Sequence, residues 1–502
     1  MTESIIFSAS SEEKNYYAQK NYGVYRTATE FRKQGLTCQV VQFFNFLDNN
    51  EIIKTLDKFG TDLKVIGFST LFWEHYDDVS KANLIIKVNF VIEYVRKHYP
   101  SVSIIAGGPS CRIFLNESFY DVDAIFEGFS ENDFIPYIRS VKYKEPKRLP
   151  NNFSDVTSIY NSITGNFNFN FSDTIYLPND LISSVDAPTL EVGRGCIFRC
   201  KFCGFALNGK KKFDYIKDFE TLRNELIKNY EDYGITNYIL SDDTFNDSTY
   251  KVQELHKLFT SLPFKIRFSC YLRLDLMLRF PEQIPLLKEM GLIGAFFGIE
   301  SFHKEAAKLI GKGLDPNVAK NALQDLKLNQ WGNDVKIGIG LITGLPYETY
   351  DSIERTKDWI ADEKNLVDQV VPFPLSISNP ENIRPQPWDS EFQKNAEKYG
   401  FTWPDGHSYH WHNSIGPVHT RHEAEKIWND FRKLCVETDR QKQGGFNLLK
   451  AYPLIASQPN APKIEELIEM DRHTYTKYIK SLETSDAIHK YISAYKEKLL
   501  RL

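Results

Sequence analysis

At 502 residues the chain exceeds what one ordinary hydrophobic core supports, and length alone suggests roughly two to four domains. With 42% hydrophobic and 25% charged residues it has the composition of a folded globular protein, which excludes disordered and collagen-like classes. The formal net charge of -5 is small for this length, so nothing global attracts nucleic acid or an anionic membrane, and nucleic acid is not an expected partner. The start, MTESIIFSASSEEKNYY, reads neither as a signal peptide nor as a bilayer span, which predicts a cytoplasmic protein with no membrane partner. Of the seven cysteines, three fall within eight residues while Cys38, Cys111, Cys270 and Cys435 are scattered. That is a poor disulfide framework and a good metal cluster; the scattered thiols read as small buried hydrophobes.

The first 140 residues alternate short apolar runs with amphipathic stretches, the pattern of a parallel α/β unit. Strands are predicted at 4–10, 37–43, 64–70, 102–107 and 123–128, with helical spacing in YGVYRTATEFRKQG and ANLIIKVNFVIEYVRKHYP. A five-stranded, doubly wound unit over 1–142 follows. Ligands of such sheets sit beyond the carboxyl ends of the strands, where Ser69, Thr70, Gly107, Gly108, Pro109 and Gly128 stand. Residues 143–185, rich in Asn, Ser and Pro, read as a linker with some strand character.

A second α/β repeat over 186–380 begins at APTLEVGRG (187–195) and continues with predicted strands at 237–242, 265–270, 294–300, 335–342 and 368–377. Six strand-helix units predict a curved parallel sheet or partial (β/α)6 barrel with its functional residues at the carboxyl ends of the strands. The last segment, 381–502, loses the alternation and reads as mostly helical (391–399, 421–439, 463–502) around the loop FTWPDGHSYHWHNSIGPVHTRH.

The text VGRGCIFRCKFCGF sets Cys196, Cys200 and Cys203 in a C-x3-C-x2-C spacing directly after an apolar strand. Three thiolates near one point need a cation or cluster to offset their repulsion. A structural zinc site would show a fourth Cys or His nearby, and the next ones, His256 and Cys270, lie more than fifty residues on. With an aromatic residue, Phe202, before the third cysteine, the motif resembles that of the radical SAM superfamily. The resemblance implies a 4Fe-4S cluster on Cys196, Cys200 and Cys203, S-adenosylmethionine (SAM) on the fourth iron, and a 5'-deoxyadenosyl radical that abstracts hydrogen from a substrate. It also implies a reducing partner such as flavodoxin or ferredoxin.

Later motifs match the family in order. YILSDDTF ends the second strand with Asp242, Asp243 and Thr244, placed as the family places groups towards the methionyl amine, although the frequent Gly-Gly-Glu is absent. Arg273 in SCYLRLD is a partner for the SAM carboxylate or, equally, one half of a surface ion pair with Asp275 or another acid. Glu300 and Ser301 in FFGIESF resemble the ribose contacts. Gly338, Gly340, Leu341 and Ile342 resemble the adenine contacts, and Glu348 in GLPYET reads as a first-turn helix residue.

The amino-terminal unit is similar to the flavodoxin-like cobalamin-binding domains that precede the barrel in one branch of the superfamily, through AGGPS (106–110), FEGFSE (126–131) and GFST (67–70). The resemblance offers Ser69, Gly107, Gly108 and Gly128 as cobalamin contacts. It departs in one respect: SASSEEKNYYAQ has no His where the Asp-x-His-x-x-Gly cobalt-ligand motif belongs, and His75 is only a distant substitute. The unit either binds cobalamin without that His or keeps the fold without the cofactor.

Five histidines between His407 and His422 lie beside Trp403, Tyr409 and Trp411, a spacing that matches no familiar metal pattern and suggests a capping loop with His410 or His412 as proton donors, or plain aromatic packing. Lys210 to Lys212 read as a solvated loop. The expected function is radical SAM chemistry on an unidentified substrate, either a cobalamin-dependent methylation or a rearrangement or epimerisation without cobalamin. The rival is a non-catalytic zinc- or iron-sulfur-binding protein.

Overall fold

The computed structural model describes residues 2–10, 19–71, 78–108, 111, 114, 122–128, 131–143, 158–162, 169–205, 214–381, 389–407, 409–484 and 486–502. Two parallel sheets organise the chain. The first runs β2-β1-β3-β4-β5-β6, built from β1 (Ser4–Ser8), β2 (Cys38–Val41), β3 (Val65–Ser69), β4 (Ser103–Gly107), β5 (Ala124–Gly128) and β6 (Ser158–Ser162). All five pairings are parallel. The order is doubly wound, with the reversal between β1 and β3, as the sequence predicts. The sixth strand is the difference: it comes from the Asn-rich segment 143–185, whose short SIYNS run has too little apolar text to be read as a strand but pairs along an existing edge.

The second sheet takes its strands in chain order: β7 (Thr189–Glu191), β8 (Asn237–Ser241), β9 (Arg267–Leu272), β10 (Leu292–Glu300), β11 (Lys336–Thr343) and β12 (Gln369–Pro374). Successive side chains alternate between faces. One face, carrying Tyr238, Leu240, Phe268, Cys270, Phe297, Ile337, Ile339 and Val370, is buried under the flanking helices. The opposite face carries Ser241, Ser269, Tyr271, Phe296, Gly298, Glu300, Gly338, Gly340, Gln369 and Phe373, small or polar or aromatic groups that do not fill a core. A parallel sheet normally buries apolar residues on both faces, so this departure marks the concave face as a site.

The base of that concavity is plugged by the Gly445–Ala456 helix, which the sequence does not announce. Its amino end meets the sheet at Gly294: a Cβ on either Gly294 or Gly445 would lie within 2.4 Å of the other's Cα, so backbone approaches backbone. Phe446 then stacks on Tyr271 at 4.7 Å and meets Phe296 at 6.3 Å, making an aromatic floor.

The two units are tied together by buried polar contacts. Lys20 Nζ binds both oxygens of Asp186 (3.1 and 3.0 Å), Tyr22 donates to the same carboxylate at 2.7 Å, and Arg32 reaches Asp180 at 2.7 Å. The Ala487–Arg501 helix, instead of staying with the barrel, returns to the first unit. Ile492, Tyr495 and Leu499 join its core, and the Tyr495 hydroxyl accepts from Gln42 N at 2.9 Å. Among the described residues no helix is long and apolar enough to cross a membrane.

Candidate active site

The cysteine loop leaves β7 and is folded by its own backbone. Cys196 N donates to Phe205 O at 2.7 Å and Cys203 N to Cys200 O at 3.0 Å. Each sulfur has a polar neighbour: Phe198 N (3.4 Å) and Thr244 Oγ1 (3.3 Å) at Cys196, Phe205 N (3.4 Å) at Cys203, and Arg273 Nη1 (3.6 Å) at Cys200. Amide and guanidinium hydrogens aimed at sulfur are the donor set that a thiolate-ligated cluster requires, so these residues fit one. As free thiols the pair is poorly ionised, because burial pushes Cys196 up and Cys203 up to about 12. Among the described residues no three His, Cys, Asp or Glu side chains are placed to ligate one metal ion; a cluster asks for one thiolate on each of three irons instead. The four scattered cysteines are buried.

The expected SAM contacts divide. Asp242 does not face the thiols: its carboxylate lies in the core on Lys251 Nζ (3.0 Å) and accepts from Thr244 N (3.0 Å). Asp243, on the other face, takes that place, accepting from Gly195 N at 3.0 Å. Arg273 is buried beside Cys200, yet its Nε and Nη2 edge is filled by Asp275 (3.0 and 2.8 Å). Phe202 packs at the edge of the barrel core.

Glu300 adopts a left-handed backbone (φ 68°) at a register shift in β10, and its carboxylate folds back over Gly298 towards Lys312 (3.5 Å). Burial raises its pKa, with Lys312 and Arg273 opposing. The Ser301 hydroxyl is spent on Glu348 (2.6 Å) rather than left open to a ribose. Gly340 and Gly338 lie over the Phe296 ring, whose carbons a Cβ would meet at 3.2 and 2.9 Å, and Ile342 follows on the same face.

Glu348 corrects its sequence reading: it precedes the helix, whose N-cap is Thr349, and is buried. Burial raises its pKa to about 7, against hydrogen bonds from Ser301 and the backbone of Leu345 and Gly344. The folded state therefore holds the proton more tightly than the unfolded one. Its stabilisation is complete below the ordinary carboxylate range near 4.5 and is lost as pH rises through 7. We expect the thermal midpoint to fall between pH 5 and 8 by an amount that Glu348→Gln largely removes, worth on the order of 2–3 kcal/mol. Parallel melting curves that keep the same pH slope would refute this.

Between the units lies a cavity of about 490 Å3. Ser69, Gly107, Gly128 and, just past β4, Gly108 line it from the first unit, and Thr189, Glu191, Arg194 and Ser241 line it from the barrel. Three polar atoms of its lining residues are shut from water without a partner: Asn21 Oδ1 and Arg26 Nε and Nη2. The segment 11–18, in which the cobalt-ligand motif belongs, and His75 lie outside the described residues, as do Pro109 and Lys210 to Lys212. The histidine-rich loop packs through fully buried Trp411, while His407, His410 and His412 are exposed, with His410 on Asp405 at 3.2 Å. None of the three lines the cavity.

Residues 190–360 match the family model described as the Radical SAM superfamily. The barrel is a radical SAM domain. Its cofactors are a 4Fe-4S cluster and SAM, and Cys196, Cys200 and Cys203 are the motif thiols. An uncharacterized methyltransferase of Pyrococcus horikoshii is 24% identical over 337 residues, covering 61% of this chain and 65% of that protein. The anaerobic magnesium-protoporphyrin IX monomethyl ester cyclase of Rubrivivax gelatinosus is 26% identical over 218 residues, 42% of this chain and 37% of that one. The chain thus spans less than two thirds of either curated relative. Among solved structures, the radical SAM methyltransferase TsrM from Kitasatospora setae superposes with a TM-score of 0.60 at 12% identity, covering 96% of this chain and 99% of that one. The cobalamin-dependent SAM radical enzyme OxsB superposes at 0.59 and 14%, covering 100% and 80%. At such identities the likeness is one of fold, and it extends over nearly the whole of this chain.

Proposed function

We propose that this chain is a cobalamin-dependent radical SAM enzyme that methylates an unreactive carbon of an unidentified, non-nucleic-acid substrate, with electrons from a flavodoxin- or ferredoxin-like donor. The observation that carries the reading is the cavity at the strand ends of the first sheet. It is walled on its far side by Arg194, two residues before Cys196, so its contents lie next to the cluster loop. A macrocycle fringed with amides supplies the donors and acceptors that Asn21 and Arg26 lack. Glycine at 107, 108 and 128 leaves the rim free of side chains for a flat ligand. When bound, the cluster supplies the electron that splits the sulfonium C-S bond, and the corrinoid carries the methyl group. The protein's own part is to hold three thiols on one loop, place the Asp243 carboxylate near them, and close the space with the aromatic floor.

The test is anaerobic reconstitution with iron, sulfide and hydroxocobalamin, then dithionite and SAM. Expected are about one corrinoid per chain after gel filtration, read from its visible spectrum, and 5'-deoxyadenosine above the level of a Cys196→Ala control. In Gly108→Val, where the backbone φ of 107° and the nearby Thr70 hydroxyl leave no room for a side chain, corrinoid retention should drop at least tenfold with 5'-deoxyadenosine still formed. Wild-type protein that cleaves SAM but retains no corrinoid rules out the methylation reading; stoichiometric zinc without cleavage rules out the enzyme.

A further inference from the structure

Arg273 ends β9 in a position that leaves it little freedom. Its backbone is clamped on both sides by the fully buried Asn246, which accepts from Arg273 N at 2.8 Å and donates to Arg273 O at 3.0 Å. Its guanidinium lies 4.0 Å over the Phe198 ring, inside the cysteine loop, and Nη2 also reaches Gly311 O at 3.4 Å. Of the two edges that can grip a carboxylate with parallel hydrogen bonds, the Nε and Nη2 edge is occupied by Asp275, and the Nη1 and Nη2 edge shares its Nη2 with Gly311 O. What remains is Nη1, and it points to Cys200 Sγ at 3.6 Å.

We infer that Arg273 is a positioning residue of the cluster: held by Asp275, it donates to the Cys200 sulfur and raises the cluster's reduction potential, and it is not the grip for the SAM carboxylate. The inference rests on the radical SAM reading. Reduction adds negative charge to the cluster and its sulfurs. A cation and hydrogen-bond donor at one thiolate favours the reduced form, while Asp275, a third exposed, offsets part of that charge. Phe198 under the guanidinium keeps the donor in register with the loop.

The two partners therefore predict opposite shifts. In Arg273→Gln the reduced-to-oxidised ratio at the wild-type midpoint falls about tenfold, a shift of about 59 mV for one electron. In Asp275→Asn the ratio rises, because the guanidinium loses its counter-charge. Both midpoints are read by anaerobic electron paramagnetic resonance titration, with iron and sulfide content as the loading control, and the SAM dissociation constant by titration of the cluster's resonance line shape. For Arg273→Gln the SAM dissociation constant changes less than fivefold. Weakening of fivefold or more, unmoved midpoints, or shifts of one sign in both variants overturn the inference. If Arg273→Gln fails to load its cluster, the sign of the Asp275→Asn shift decides alone. A wild-type chain without iron and sulfide overturns the family reading instead.

Discussion

Replacing any one of Cys196, Cys200 or Cys203 by Ala is expected to abolish 5'-deoxyadenosine formation, by at least ~10³-fold, and a triple replacement should lose little more. In the proposed cluster the three sulfurs would act as a unit, one to each of three irons, so removing one leaves no intermediate arrangement with partial function. The expected signature has two parts: iron and sulfide per chain collapse in every single variant, while the far-ultraviolet circular dichroism is unchanged. The second part follows from the packing. The loop hangs from β7 by backbone bonds such as Cys196 N to Phe205 O and Arg194 N to Tyr215 O, and the neighbouring core of Val192, Leu240 and Phe245 closes without the three motif cysteines. A single variant that keeps its iron and still cleaves SAM within tenfold of wild type would show that the motif does not hold the catalytic cluster.

Much of this architecture was legible because the fold's signals are local. Apolar runs at 4–10, 64–70, 294–300 and 335–342 fall within two residues of β1, β3, β10 and β11, since a strand buried under helices writes its position as uninterrupted Val, Ile, Leu and Phe. Two elements escaped for opposite reasons. β6 is polar and draws its pairing from the edge of β5. The Gly445–Ala456 helix is apolar nearly all round, opens on two glycines and contains Pro453, so it shows no amphipathic stripe. In the site, the misplacement of Asp242 had a signal that strand periodicity supplies. Residues 238, 240 and 242 share one face, and Tyr238 and Leu240 are core, which sends Asp242 inward and leaves Asp243 for the concave side. The Arg273–Asp275 pair was legible as one of two readings, being two residues apart, but the contacts of Arg273 with Cys200 and of Ser301 with Glu348 were not, because those partners come from separate segments that spacing does not join.

Lys251 carries the largest expected loss of stability. It lies on the apolar stripe of the Thr249–Thr260 helix, with no solvent exposure, and its ammonium meets Asp242 at 3.0 Å, Asp247 at 2.8 Å and Thr244 O at 3.0 Å. Tyr215 closes the cluster by donating to Asp247 at 2.5 Å. Burial disfavours the charge on Lys251, but the two carboxylates more than reverse this and raise its pKa. Lys251→Met keeps most of the volume and removes the cation, leaving two carboxylates in a space that water does not reach. Breaking a buried pair in this way costs about 3–5 kcal/mol, which lowers the thermal midpoint by on the order of 10 °C. The pH dependence identifies the cause. Asp247 already has a pKa raised by burial, and loss of Lys251 removes the first of the groups opposing that rise. The folded variant then binds protons that the unfolded chain releases, so its deficit against wild type shrinks as pH falls towards 5 and is largest near neutrality. Because Thr244 both binds Lys251 through its carbonyl and contacts Cys196 Sγ through its hydroxyl, cluster loading should fall together with stability. Adding Asp242→Asn to Lys251→Met should restore part of the stability by deleting one uncompensated charge. A Lys251→Met protein that melts within ~1 kcal/mol of wild type, or whose deficit is the same at pH 5.5 and 8, would show that this ion cluster does not hold the second strand against the cysteine loop.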